Sequence, residues 1–207
     1  MKAIKVVAFD CDGVMFDTVK ANTAYYNHIL KRFGMPDMTP EQFVFANMHT
    51  AERVLTKLFD DQAKLKAALA YRRRMSYDPF IRFMEIEPYL KPLLEKLRPK
   101  YKTAIATNRT DTIGRVLSEH GLEGCFDCVV SAFDVDFPKP NPQPLIKILE
   151  YFKIAPNEAI YVGDTELDEM AAKGAEVPLV AYNNPSLDAD YHIKSLKELE
   201  KILEVEE

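Results

Sequence analysis

Five short apolar runs recur along the chain, at 4–9, 103–107, 128–132, 159–162 and 179–182. Each has the length of a buried strand and is bounded by turn or charged residues. Helical patterns separate the later runs, at 111–120, 144–152 and 166–173. A continuous apolar run is what a strand covered on both faces requires, whereas a half-exposed strand would alternate. Strands alternating with helices argue for a parallel sheet with helices on both sides. The expected fold class is therefore α/β, a Rossmann-like doubly wound parallel sheet. Ser195-Leu196-Lys197-Glu198 has the form of a capping box that opens a last helix reaching about residue 204.

The first interval breaks this rhythm, because more than ninety residues separate the first run from the second with no good strand between them. Residues 18–33 read as a helix, with Asp17 as its N-cap. Thr39-Pro40-Glu41-Gln42 supplies a cap, a proline at the first helical position and a glutamine at the third, and so opens another helix. Helical patterns follow at 50–59 and 61–75, and 88–97 returns to the sheet rhythm. The expected organisation is a core of residues 1–16 and 84–207, with a helical cap domain, 17–83, inserted after the first strand. Within the insertion, Tyr25, Tyr26, Phe43 and Phe45 read as its core. His49, Arg53 and Lys57 read as solvent-facing.

A chain of 207 residues has room for both parts. At this size folding buries about 70% of the unfolded surface, so the core needs no disulfides. The net charge is −5, and no lysine or arginine block is long enough to track nucleic acid. The densest, Tyr71-Arg72-Arg73-Arg74-Met75, fans around a helix and reads as a solvated face. No stretch approaches the roughly 20 apolar residues of a membrane span. The opening residues enter a strand with no apolar leader, and three cysteines are an odd count, so a reducing cytoplasm is expected. Cys125-Phe126-Asp127-Cys128 reads as two small buried hydrophobes flanking a strand start, since no second pair accompanies it. The expected partner is a small molecule, with no nucleic acid and no membrane, and the chain is expected to be a monomer or homodimer.

In an open parallel sheet, ligands bind beyond the carboxyl ends of the strands. Asp10 and Asp12 follow the first run, Thr107 and Asn108 the second, and Gly163-Asp164-Thr165-Glu166-Leu167-Asp168 the fourth. Pro138-Lys139-Pro140 precedes the helix before that fourth strand. The fold would bring these distant segments to one edge. Clustered carboxylates need a cation, and a partly open all-oxygen site suits magnesium, which keeps waters and is completed by a substrate phosphate. A hydroxyl, backbone amides and a lysine suit phosphate oxygens. A carboxylate beside a metal can attack phosphorus, and a neighbour two residues on can protonate the leaving oxygen.

Asp10-x-Asp12-Gly13-Val14, Thr107-Asn108, Lys139-Pro140 and Gly163-Asp164-x-x-x-Asp168, in that order, resemble the four motifs of the haloacid dehalogenase (HAD)-like superfamily. The likeness is greatest to its phosphoglycolate-phosphatase-like members, which carry a helical cap after the first strand. The resemblance spans nearly the whole chain. It implies a magnesium-dependent phosphatase that hydrolyses a small phosphorylated metabolite, a phosphate monoester, through an aspartyl-phosphate. By that resemblance Asp10 is the nucleophile and Asp12 the general acid/base. Asp10, the Asp12 carbonyl and Asp164 hold Mg2+. Thr107, Asn108 and Lys139 bind the phosphoryl group, and Asp168 orients Lys139 or metal-bound water. Cys11 points into the packing, and Arg109 reads as a solvent-facing neighbour of the site.

The main alternative is a sugar-phosphate mutase of the β-phosphoglucomutase type. It shares the opening motif, but it carries a histidine where this chain has Asn22 and a Gly-x-Ser-Arg segment that would align near Asn47-Met48-His49-Thr50. A haloacid dehalogenase lacks the acid at the second motif position, so Asp12 opposes that reading. A phospho-receiver domain has adjacent acids and no helical insertion.

Overall fold

The computed structural model describes residues 3–47 and 51–204. Along the chain the strands are β1 (Val6–Phe9), β2 (Phe16–Asp17), β3 (Glu85–Ile86), β4 (Lys102–Ala106), β5 (Cys128–Val130), β6 (Ala159–Gly163), β7 (Leu179–Tyr182) and β8 (Tyr191–Ile193). The helices are α1 (Val19–Arg32), α2 (Pro40–Asn47), α3 (Ala51–Leu58), α4 (Gln62–Arg72), α5 (Asp78–Ile81), α6 (Leu90–Leu97), α7 (Ile113–Glu119), α8 (Gln143–Phe152), α9 (Glu166–Ala175) and α10 (Leu199–Leu203).

The chain divides into two compact units, residues 1–17 with 85–207, and residues 18–84. The first unit holds a six-stranded sheet in the order β5-β4-β1-β6-β7-β8, and every pairing in it is parallel. All four residues of β1 are buried, as its uninterrupted apolar pattern requires. Val6 and Ala8 face a cluster with Leu145 and Ile148 of α8 and Ala171 and Ala172 of α9. The residues pointing the other way, Val7, Phe9, Ile105, Ile160 and Val162, are buried too, so both faces of the sheet are covered. Burying each such side chain is worth about 1.5–3 kcal/mol. That gain is what allows a sheet edge to carry buried acids.

The strand order places the site. After β1 the chain builds β4 and β5 on one side and then crosses to β6 on the other, so β1 is flanked by β4 and β6. Phe9 pairs with Ile105 and with Val162, which sets the residues after all three strands side by side. The crevice of such a sheet lies where the strand order reverses.

The second unit is helical. Tyr25 and Tyr26 of α1 are buried, and Tyr25 packs edge-on against Phe80. Phe43 and Phe45 are half-buried, Arg53 and Lys57 are exposed, and His49 lies outside the described residues. The cap ahead of α2 forms as expected: Thr39 N donates to Gln42 Oε1 (2.9 Å) and Gln42 N to Thr39 Oγ1 (3.3 Å). Arg73 and Arg74 are exposed and Arg72 is half-buried.

Three local expectations are corrected. Asp17 does not cap α1: it pairs with Glu85 in the β2–β3 ribbon, and Thr18 stands at the cap position. Strand β8 was not anticipated; with three residues and an exposed His192 it carries no apolar run. Cys125 and Cys128 are half-buried free thiols rather than buried ones. No described helix is long and apolar enough to cross a membrane.

Candidate active site

Asp10 leaves the end of β1 with its amide held by the Val162 carbonyl (2.9 Å), which fixes it between β4 and β6. Its side chain is buried, and the carboxylate Oδ1 lies 2.7 Å from Lys139 Nζ. The same ammonium donates to Asp168 Oδ1 at 2.6 Å and to the Tyr161 hydroxyl at 2.9 Å. Lys139 is therefore a buried cation between two acids, contributed by a loop far from both in sequence.

Asp168, in the first turn of α9, is fully buried and its two oxygens are filled with donors. Oδ1 accepts from Lys139 and from the Tyr161 hydroxyl (2.7 Å). Oδ2 accepts from the Thr165 hydroxyl (2.6 Å), Thr165 N (3.0 Å) and Asp164 N (3.2 Å). Gly163 permits this closeness, because a Cβ there would collide with the Asp168 side chain. Burial opposes ionisation of Asp168, but Lys139 and these hydrogen bonds outweigh it and hold the carboxyl below its ordinary value.

The other two acids are less well compensated. Burial, reinforced by the charges of Asp168 and Asp12, outweighs the attraction of Lys139 and pushes Asp10 up to about 7. Burial, and after it the charge of Asp10, pushes Asp164 up to about 8. Lys139 itself stands above its ordinary value: burial would lower it, but Asp10 and Asp168 raise it more.

Oxygens of Asp10, Asp164 and Asp168 lie within 4.8 Å of one another. Three carboxylates and one ammonium leave two negative charges, which is the deficit a divalent cation fills. Asp164 Oδ1 is buried without a hydrogen-bond partner, an arrangement costly unless a cation takes it. Gly13, at φ +87°, keeps the space beside Asp164 Oδ2 clear, since a Cβ there would collide with that oxygen. The donor set is all oxygen, as magnesium prefers. Asp168 is the member least suited to ligation, because its oxygens are already saturated.

The remaining motif residues divide. Thr107 is buried at the end of β4, and its hydroxyl accepts the Arg109 amide (3.1 Å). The side-chain amide of Asn108 is engaged within the protein. Its Nδ2 donates to the Lys139 carbonyl (2.9 Å) and its Oδ1 accepts the Lys139 amide (3.0 Å), so it clamps the loop that carries Lys139. That loop contains a cis peptide between Lys139 and Pro140. Arg109 also differs from expectation. Its side chain is buried and its Nη2 sits 2.6 Å from Asp12 Oδ1. Cys11 is fully buried, and burial pushes its thiol well above the ordinary range, as suits a packing residue.

Tyr161 and Asn184 were not anticipated. Tyr161 lies within an apolar strand run and gives no sign that its hydroxyl reaches Lys139. Asn184, after β7, donates to the Asp164 carbonyl (2.8 Å) and steadies that loop. Asn22, where a mutase would carry histidine, is committed within the helical unit: it donates to Thr18 Oγ1 (3.2 Å) and accepts from the Tyr77 hydroxyl (2.8 Å). The second mutase segment falls largely on residues 48–50, outside the described residues.

Residues 7–182 match the family described as haloacid dehalogenase-like hydrolase. The chain belongs to that family. It is similar to a phosphoglycolate phosphatase of Aquifex aeolicus, 25% identical over 97% of each chain. It is also similar to the pyrophosphatase PpaX of Bacillus velezensis, 30% identical over 84% of this chain and 81% of that one. Among solved structures, a HAD-superfamily hydrolase of subfamily IA, variant 1, from Geobacter sulfurreducens superposes with a TM-score of 0.88. The two are 35% identical, over 97% of this chain and 96% of the other.

Proposed function

We propose that this chain, an enzyme of the haloacid dehalogenase-like hydrolase family, is a magnesium-dependent phosphatase that hydrolyses a small phosphate monoester through an aspartyl-phosphate on Asp10. The observation that carries this reading is the buried Lys139 ammonium between Asp10 and Asp168, beside the unpartnered oxygen of Asp164. A buried acid next to a cation, at a sheet edge with a cation-sized charge deficit, is suited to attack phosphorus.

Asp10, Asp164 and the Asp12 carbonyl would hold the magnesium ion. When bound, the ion neutralises the acids and the phosphoryl oxygens, so that the two can approach. Lys139 and the Thr107 hydroxyl hold the remaining phosphoryl oxygens, and Asn108 and Asp168 hold Lys139 in place. In the first half-reaction an Asp10 oxygen forms a bond to phosphorus, the bond to the leaving oxygen breaks, and that oxygen takes the proton of Asp12. In the second, water attacks phosphorus, Asp12 takes a proton from it, and the acyl-phosphate bond breaks to regenerate Asp10. The proton that Asp12 gives in the first half-reaction is thus returned to it in the second.

All of these groups belong to the unit of residues 1–17 and 85–207, so we assign the choice among phosphate esters to the helical unit. The test is a screen of metabolite phosphates with magnesium, phosphoglycolate and pyrophosphate included, run on the full chain and on a variant with residues 18–82 replaced by a Gly/Ser linker. Magnesium-dependent release of phosphate by both, with substrate ranking lost in the second, is the expected result. No turnover of any ester by the full chain would overturn the assignment.

A further inference from the structure

We propose that Arg109 is the positioning residue for proton transfer, holding Asp12 by one oxygen so that the proton rides on the other. The inference rests on the reading of Asp12 as the acid/base.

Both Nε (3.0 Å) and Nη2 (2.6 Å) of Arg109 fall on the same atom, Asp12 Oδ1. An arginine that merely paired with a carboxylate would set its parallel donors one on each oxygen, the fork geometry that gives such pairs their strength. Here the two oxygens are made unequal instead. A guanidinium has five donors and no acceptor. A proton on Oδ1 would point into those donors, so a neutral Asp12 carries it on Oδ2.

The support is itself fixed. Arg109 Nη1 donates to Thr112 Oγ1 (3.2 Å), its amide to Thr107 Oγ1 (3.1 Å), and its carbonyl accepts from Ala132 N (2.9 Å). Side-chain exposure separates the two partners: 9% for Arg109 and 39% for Asp12. The arginine is anchored below the surface, while the acid is presented outward, where a leaving group must arrive. Because arginine stays protonated, it neither gives nor takes the proton. Its proposed part in the reaction is carried by Asp12.

The test compares two aryl esters with magnesium, phenyl phosphate and 2,4-dinitrophenyl phosphate. Phenolate is a poor leaving group that needs a proton as the bond breaks, whereas dinitrophenolate departs without one. The ratio kcat/KM reports on the first half-reaction for both. Arg109→Gln should lower kcat/KM about tenfold or more on phenyl phosphate and less than about threefold on the dinitrophenyl ester, a part of the 10²–10⁴ that a positioned proton donor contributes. Arg109→Lys should recover part of the loss, and Thr112→Val should show the same leaving-group bias at smaller size. A merely structural arginine would lower both esters alike. Equal losses, or none, overturn the proposal. If Arg109→Gln does not fold, the other two variants decide by the same bias. Absence of magnesium-dependent turnover of either ester by the unsubstituted protein would instead overturn the phosphatase reading.

Discussion

The ammonium of Lys139 lies 2.7 Å from Asp10 Oδ1, inside a region where Lys139 is only 3% and Asp10 only 9% exposed at the side chain. The lysine serves two ends at once. It compensates acids that the fold has buried, and under the proposed function it also receives a phosphoryl oxygen.

Replacing Lys139 by alanine should therefore cost both activity and stability. Turnover should fall at least about a hundredfold, the scale of removing one preorganised donor to the transition state. Unfolding free energy should drop by about 3 kcal/mol, because Asp10 and Asp168 lose their shared cation. Steady-state kinetics and denaturant unfolding measure the two effects. A fall in turnover below about threefold would assign the role to another cation.

Asp10→Asn should separate chemistry from folding in the opposite way. An amide cannot form the acyl-phosphate, so turnover should be less than about 1% of the original. The change keeps the shape and removes one of the poorly compensated charges, so the metal-free melting temperature should hold or rise. Retained activity above a few per cent, in protein shown free of deamidation, would exclude Asp10 as nucleophile.

Magnesium should stabilise the protein in a pH-dependent manner. Burial first, then neighbouring charge, pushes Asp10 up to about 7 and Asp164 up to about 8. Both folded values lie above the unfolded value of about 3.9. The contribution of these two acids to the stability of the metal-free protein should thus decline from about pH 4 to about pH 8 as they are forced to ionise, whereas the depressed Asp168 loses its contribution only in acid. A bound divalent cation removes the cause of that decline. Thermal melts with EDTA should fall across this range, and melts with saturating magnesium should be flatter and higher. Asp164→Asn should abolish most of the response. Melts that coincide with and without magnesium at about pH 8 would remove Asp164 from the metal site.

Gly13→Ala places a side chain against Asp164 Oδ2 at a φ of +87°. Strain in this region costs about 1–3 kcal/mol before any collision is counted. Folded stability should fall by at least about 1 kcal/mol, and the magnesium-dependent rise in melting temperature should shrink further than stability alone explains. An alanine variant with normal stability and normal magnesium response would show that the space beside Asp164 is not needed.

Much of the sheet is written in local pattern. The run that became β1 is uninterrupted by polar residues because both of its faces are covered, and a periodicity argument detects that directly. The ordering of the acids along the chain also survives into space, since the ends of parallel strands meet at one edge. This is why Asp10, Asp164, Asp168 and Lys139 read as a set from the chain alone.

What the sequence alone determined, then, was the α/β alternation, the helical insertion and the residue types that gather at the sheet edge. These depend on periods of two and 3.6 residues and on chain order, which a linear reading contains. Only the tertiary structure decided which polar atoms are partners. Arg109 meets Asp12 across 97 residues, and the Tyr161 hydroxyl joins Lys139 from inside a strand that otherwise reads as apolar core. The Asn108 side chain grips the Lys139 backbone through both of its polar atoms, a partnership that no pattern in the chain announces. Side-chain hydrogen bonds of this kind have no sequence period. They are fixed by register, by loop path and by the need of each buried polar group to find a partner, and those conditions exist only once the chain has folded.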